Sequence, residues 1–129
     1  MIRSIQTLIL AVVLLAAASC TQAQSNNTLT AKAFATAIKD KSNLILLDVR
    51  TPAEYAEGHL EGSKNMDWLG DSFEAETAKL DKNKPVYVYC RSGKRSAEAA
   101  EALRQNGFAK VYELDGGIMS WEAAGQPVK

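Results

Sequence analysis

Cysteine and histidine are the scarce residues of this 129-residue chain, which has two of the first, Cys20 and Cys90, and one of the second, His59. A lone imidazole with no second histidine beside it cannot build a metal site, so no metal and no other cofactor is expected. Charge of one sign is also missing, because fifteen Lys and Arg balance fifteen Asp and Glu. No basic field is left to gather nucleic acid or anionic lipid. Linkers, low-complexity tracts and internal repeats are absent beyond residue 30, and with 47% hydrophobic and 23% charged residues the composition fits one globular domain.

Only one apolar run is long enough to raise the question of a membrane, Leu8 to Ala18, and Arg3 precedes it. It is short for a span, and polar Ser25, Asn26 and Asn27 follow it in place of a stop-transfer cluster. Residues 1–23 therefore read as a signal peptide, residues 24–29 as a short polar tether and residues 30–129 as the domain. Two processing routes compete. Ala17-Ala18-Ser19-Cys20 resembles a bacterial lipobox, which would end the signal at residue 19 and acylate Cys20, whereas Thr21-Gln22-Ala23 suits ordinary cleavage after Ala23. Either route implies an exported protein, periplasmic or held on a periplasm-facing membrane by a lipid anchor alone. Either also leaves Cys90 as the sole thiol of the domain, without a disulfide partner. A lone thiol in an oxidising compartment is a liability unless it is buried or useful.

The patterning is that of an α/β fold. Leu44 to Leu47 and Val86 to Tyr89 are continuous apolar runs, as expected of strands covered on both faces, and a third strand lies near Val111 to Leu114. Helical patterns fill the gaps: Ala31 to Lys39 behind an N-cap at Thr30, Pro52 to Glu57, Phe73 to Leu80, and Ser96 to Gln105 with a thin apolar face of Ala97, Ala100 and Leu103. Such alternation implies right-handed crossovers and a mostly parallel sheet. Asp48 and Cys90 each end an apolar run, so both fall at carboxyl ends of strands, where open α/β sheets hold ligands.

Cys90-Arg91-Ser92-Gly93-Lys94-Arg95-Ser96 leaves a buried strand and enters a helix. Such a loop can turn several N–H groups toward one centre, and the helix N-terminus adds positive potential. Donors and cations favour the thiolate, so Cys90 is the expected nucleophile. Gly93 permits the close turn, while Arg91, Lys94 and Arg95 can pair with an oxyanion leaving group.

The segment CRSGKRS resembles the active-site loop of single-domain rhodaneses. Asp48-Val49-Arg50 with Pro52, Glu54 and Tyr55, then Gly58-His59-Leu60-Glu61-Gly62-Ser63-Lys64-Asn65, is similar to the family's next signature, with Ser63 in place of a frequent alanine. Gly116-Gly117-Ile118-Met119-Ser120-Trp121 matches its GG-xxx-W ending. The resemblance implies a three-layer fold, a five-stranded, mostly parallel sheet with helices on both faces. It also implies a sulfurtransferase in which Cys90 cycles through a persulfide. Arg91, Ser92, Gly93, Lys94, Arg95 and Ser96 would form the cradle, closed by Arg95. The donor would be thiosulfate or a similar sulfane compound, and the acceptor cyanide or a thiol, including a thiol protein.

Asp48 and Arg50 share the sheet rim. Arg50 is expected to brace loops through Glu54, and Asp48 either shapes the pocket or joins such a brace. The resemblance places His59 in a structural turn, and Tyr87, Tyr89 and Trp121 are expected in the core or pocket wall. One rival is a cysteine-based phosphatase or arsenate reductase, which spaces Cys and Arg by five residues where this loop has four. The other is a non-catalytic rhodanese-type binding module, against which stand the retained cysteine and cations.

Overall fold

The computed structural model describes residues 27–129. The signal segment at 1–23, with Cys20, and residues 24–26 of the tether lie outside the described residues. The ordered elements are β1 (Thr28–Leu29), α1 (Ala31–Ala37), β2 (Ile45–Asp48), α2 (Pro52–Glu57), β3 (Lys64–Asn65), α3 (Phe73–Thr77), β4 (Val86–Tyr89), α4 (Lys94–Gln105), β5 (Val111–Leu114) and α5 (Gly117–Ala123). The strands form one five-stranded sheet in the order β1-β5-β4-β2-β3, and every pairing is parallel.

Alternating side chains of the central strands divide the core in two. Ile45 and Leu47 of β2 and Val86 and Val88 of β4 pack with Phe73 of α3 and Ala99, Ala100 and Leu103 of α4. Leu46 and Tyr89 point the other way, to Phe34 of α1 and to Ile118 and Trp121 of α5. Both faces of β2 and β4 are thus buried, which is why these segments are unbroken apolar runs.

Local chemistry explains the boundaries. The Thr30 hydroxyl accepts the Ala33 N–H at 3.2 Å and starts α1, which stops at Ala37, two residues short of the expected Lys39. A 3₁₀ turn at Lys41–Asn43 follows, begun by Asp40, whose carboxylate accepts from the Ser42 N–H. Helix α3 closes at Thr77, not Leu80, where the Thr77 hydroxyl bonds the Phe73 carbonyl at 2.8 Å. Helix α4 begins at Lys94, two residues before the expected Ser96, and its buried stripe is Ser96, Ala99, Ala100 and Leu103, while Ala97 is exposed. Thr28 and Leu29, expected in the tether, pair with Glu113 and Leu114 as an edge strand.

The register places the site. Asp48 pairs with Tyr89, and the Val49 N–H bonds the Tyr89 carbonyl at 3.0 Å, so Asp48 and Cys90 leave neighbouring strands at one end of the sheet.

Candidate active site

Cys90 is the first residue beyond β4 and is 1% exposed. The chain then turns through Arg91, Ser92 and Gly93, whose φ of 111° lies where a side chain would be strained, and enters α4 at once. The turn delivers the Gly93 N–H to the Cys90 sulfur at 3.1 Å. One turn into α4, the fully buried Ser96 places its Oγ 3.4 Å from Sγ and donates to the Gly93 carbonyl at 3.1 Å. Burial pushes the Cys90 pKa up. The Ser96 hydroxyl and the N–H groups of Ser96, Gly93 and Ser92 outweigh it and hold the thiol below its ordinary value.

The inward N–H groups require the loop's carbonyls to face elsewhere, and α5 receives them. Its first N–H groups, from Ile118 and Met119, bond the carbonyls of Cys90 at 2.9 Å and Arg91 at 3.2 Å. Gly117, at φ 62°, makes this approach possible: a methyl group there would sit 2.5 Å from the Cys90 carbonyl oxygen and overlap the Arg91 carbonyl. The second glycine of the C-terminal motif is therefore part of the thiol site.

Of the three loop cations, Arg91 and Lys94 are exposed. Arg95 is not free. Its guanidinium grips Glu54 of α2 through two bonds, 2.7 Å from Nη1 to Oε1 and 2.9 Å from Nη2 to Oε2. Glu54 is held there because it also closes the capping box of α2 with Thr51. The Arg95 hydrogen bonds, helped by charge attraction and by Thr51, overcome desolvation and bring the Glu54 pKa down to about 2. Arg95 thus closes the loop as a paired cation.

The expected Arg50–Glu54 pair does not form, because Arg50 has a nearer partner. Asp48, fully buried, accepts from the Arg50 backbone N–H at 2.9 Å, from Nε at 3.0 Å and from Nη2 at 2.6 Å. The same Nη2 donates to the Gly58 carbonyl at 2.7 Å. Asn65 ties the carbonyls of Asp48 and Arg50 to β3. Asp48 and Arg50 are one brace beneath the rim.

Ser63, in place of the family's frequent alanine, is buried and accepts the Tyr89 hydroxyl at 3.2 Å, while its carbonyl accepts the Tyr55 hydroxyl at 2.7 Å. The Tyr89 oxygen in turn accepts the Leu60 N–H at 3.0 Å, so the residue before Cys90 anchors the α2–β3 turn. A tyrosine at the end of a buried strand was the available signal, since a buried phenol needs partners. His59 stacks on Tyr55 at 3.8 Å between ring centroids, with Nδ1 3.0 Å from the Tyr55 carbonyl oxygen, and pairs through its backbone with Lys129. It belongs to the turn.

Comparison with known proteins agrees with this geometry. The rhodanese-like domain family matches residues 30–124. A sulfurtransferase of Allochromatium vinosum is 31% identical over 102 residues, covering 79% of this chain and 94% of the relative. The thiosulfate sulfurtransferase GlpE of Pseudoalteromonas translucida is 34% identical over 66% of this chain and 79% of its own length. A rhodanese-related protein from Thermoplasma volcanium superposes with a TM-score of 0.71 at 32% identity, over 80% of this chain and 97% of that one.

Proposed function

The chain belongs to the rhodanese-like family, and from that premise we propose that it is a sulfurtransferase moving sulfane sulfur from thiosulfate, or a similar donor, to a thiol or cyanide through a persulfide on Cys90. The observation that carries this reading is the pair of hydrogen bonds at the buried sulfur, which accepts the Gly93 N–H at 3.1 Å and donates its own proton to Ser96 Oγ at 3.4 Å.

The Cys90 thiolate attacks the outer sulfur of thiosulfate. A sulfur–sulfur bond to Cys90 forms, the bond to the sulfonate sulfur breaks with its electron pair, and sulfite leaves. Exposed Arg91 and Lys94 favour the arrival of the dianion. The persulfide left on Cys90 is again an anion, and the fixed loop N–H groups need no reorganisation to stabilise it.

Ser96 sets the protonation state of this cycle through its single hydroxyl proton. With Cys90 as a thiol, S–H donates to Ser96 Oγ and the hydroxyl donates to the Gly93 carbonyl. Once the sulfur is an anion, the hydroxyl turns from that carbonyl to the sulfur. A small centre with one N–H and one hydroxyl on Sγ, and with Arg95 turned to Glu54, suits a single sulfur atom better than a tetrahedral phosphate. The N-terminal sequence supports export, with Cys20 as the residue to be acylated.

Mass spectrometry of the mature protein after thiosulfate treatment tests both parts. The expected result is a gain of one sulfur atom on Cys90 and an N-terminus at acylated Cys20. No sulfur gain, with efficient cleavage of phosphate esters, would overturn the enzymatic reading, and an unmodified N-terminus at Gln24 would overturn the lipid anchor.

A further inference from the structure

Equal totals of opposite charge do not make an even surface. Because every strand pairing is parallel, the segments that lead into β2, β4 and β5 all lie at the amino end of the sheet, opposite Cys90. Two bonds set them side by side: the Ile45 N–H donates to the Pro85 carbonyl at 2.9 Å, and the Val86 N–H to the Lys110 carbonyl at 2.8 Å. These segments carry Lys39 and Lys41 before β2, Lys79, Lys82 and Lys84 before β4, and Lys110 before β5. Lys82 also lies over the Phe108 ring at 5.9 Å, which ties the last two segments together. Lys84 is partly buried and the others are exposed, and among the described residues none of these lysines is in an ion pair. Against them stand Asp40 and Asp81, whose carboxylates accept N–H groups of their own turns, and Glu74, which shares a recess with Lys82. Glu61, near Lys41, is already paired with Lys129.

The carboxyl end of the sheet has the opposite bias. Glu57 at the end of α2, Asp67 and Asp71 after β3 and Asp115 after β5 have no ion-pair partner among the described residues, and only Arg91 and Lys94 are unpaired cations there. A negatively charged plane therefore attracts one end of the domain and repels the other. The tether brings such a plane within reach. Thr28 lies eight positions after Cys20, so acyl chains on Cys20 would hold β1 within about 28 Å of the lipid, less than the roughly 33 Å breadth of a domain of this size. Asn27, whose carbonyl accepts the Glu113 N–H at 2.7 Å, continues the β1 edge toward the amino end.

We propose that the lysine-bearing amino end of the sheet is the face on which the acylated domain rests on an anionic phospholipid surface, so that the Cys90 end points away from the membrane. The proposal rests on the lipid-anchor reading and adds a second contact to it. Acyl chains hold the domain at the surface, and the lysines set its orientation, because each lysine within a Debye length of anionic headgroups adds to the attraction.

The test is a lysine footprint. The mature protein is incubated with vesicles of phosphatidylcholine, or of an equal mixture with phosphatidylglycerol, recovered by flotation, acetylated briefly and read by mass spectrometry. Acetylation of Lys41, Lys82, Lys84 and Lys110 is expected to slow about three- to tenfold on the anionic vesicles relative to the neutral ones. Lys94 and the rate of Cys90 alkylation should not change between the two. The protection should vanish in about 1 M salt, where the Debye length is roughly 3 Å. Protection of Lys41 and Lys110 should also vanish in a Lys82→Glu, Lys84→Glu variant that still floats with the vesicles. Equal reactivity on both kinds of vesicle, protection that survives salt, or protection of Lys94 with slowed Cys90 alkylation would overturn the resting face while leaving the anchor intact. A mature protein that floats with neither vesicle and begins at Gln24 would overturn the anchor, and the proposal with it.

Discussion

Replacing Gly117 by alanine asks whether the close contact between α5 and the Cys90 loop builds the thiol site, and Gly125→Ala is its internal control. Both glycines have left-handed backbone, φ 62° at Gly117 and 75° at Gly125. A Cβ at Gly125 meets nothing within 4 Å, so that substitution carries only the conformational penalty, about 1 to 2 kcal/mol. At Gly117 the same penalty applies, and the new methyl also collides with the carbonyls of Arg91 and Cys90. Relief requires α5 or the loop to move, which loosens the bonds from Ile118 and Met119, each worth about 1 kcal/mol. Gly117→Ala should therefore lose about 2 kcal/mol more than Gly125→Ala, roughly a thirtyfold difference in the unfolding equilibrium. Urea unfolding of both variants with equal m-values measures it. Because the displaced loop carries the Gly93 donor, the pH profile of Cys90 alkylation should also move to higher pH in Gly117→Ala alone. Equal destabilisation of the two variants, with unchanged alkylation profiles, would refute the reasoning.

Three further outcomes are expected. Cys90→Ser keeps the volume of the side chain but supplies a weak nucleophile with no base beside it, so it should fold normally and lose sulfur transfer and the sulfur mass gain together. Ser96→Ala removes one donor from the thiolate, so iodoacetamide alkylation near neutral pH should slow about five- to tenfold, with partial recovery in Ser96→Thr. Glu54 has its pKa depressed to about 2 by Arg95, so its contribution to stability is complete above the ordinary glutamate range and is lost as pH falls through about 2. Partial exposure of both side chains reduces that contribution to about 1 to 2 kcal/mol. Denaturant titrations between pH 5 and about 2 should show this loss in the wild type and a flatter profile in Glu54→Gln.

The sequence by itself determined the class of fold and the location of the chemistry. Continuous apolar runs at β2 and β4 have no stable placement except between two helical layers, and a basic, glycine-containing segment leaving one of them must turn at the sheet's carboxyl end. Its legible content ended where the signal was too short or too symmetric. The two-residue strands at Thr28–Leu29 and Lys64–Asn65 carry no alternation to read. The buried face of α4 carries Ser96 and Ala99 and leaves Ala97 exposed, a choice made by packing against the sheet. Only the tertiary structure decided which partners meet. Arg50, four residues away, is the partner that one dimension offers Glu54, yet the contact that forms joins residues 41 positions apart because α2 and α4 both start at the rim of the sheet. Ser63 became the support of Tyr89 from 26 positions away, and Gly117 became part of the Cys90 site, because hydrogen bonds and steric contact depend on distance in space, which no local pattern records.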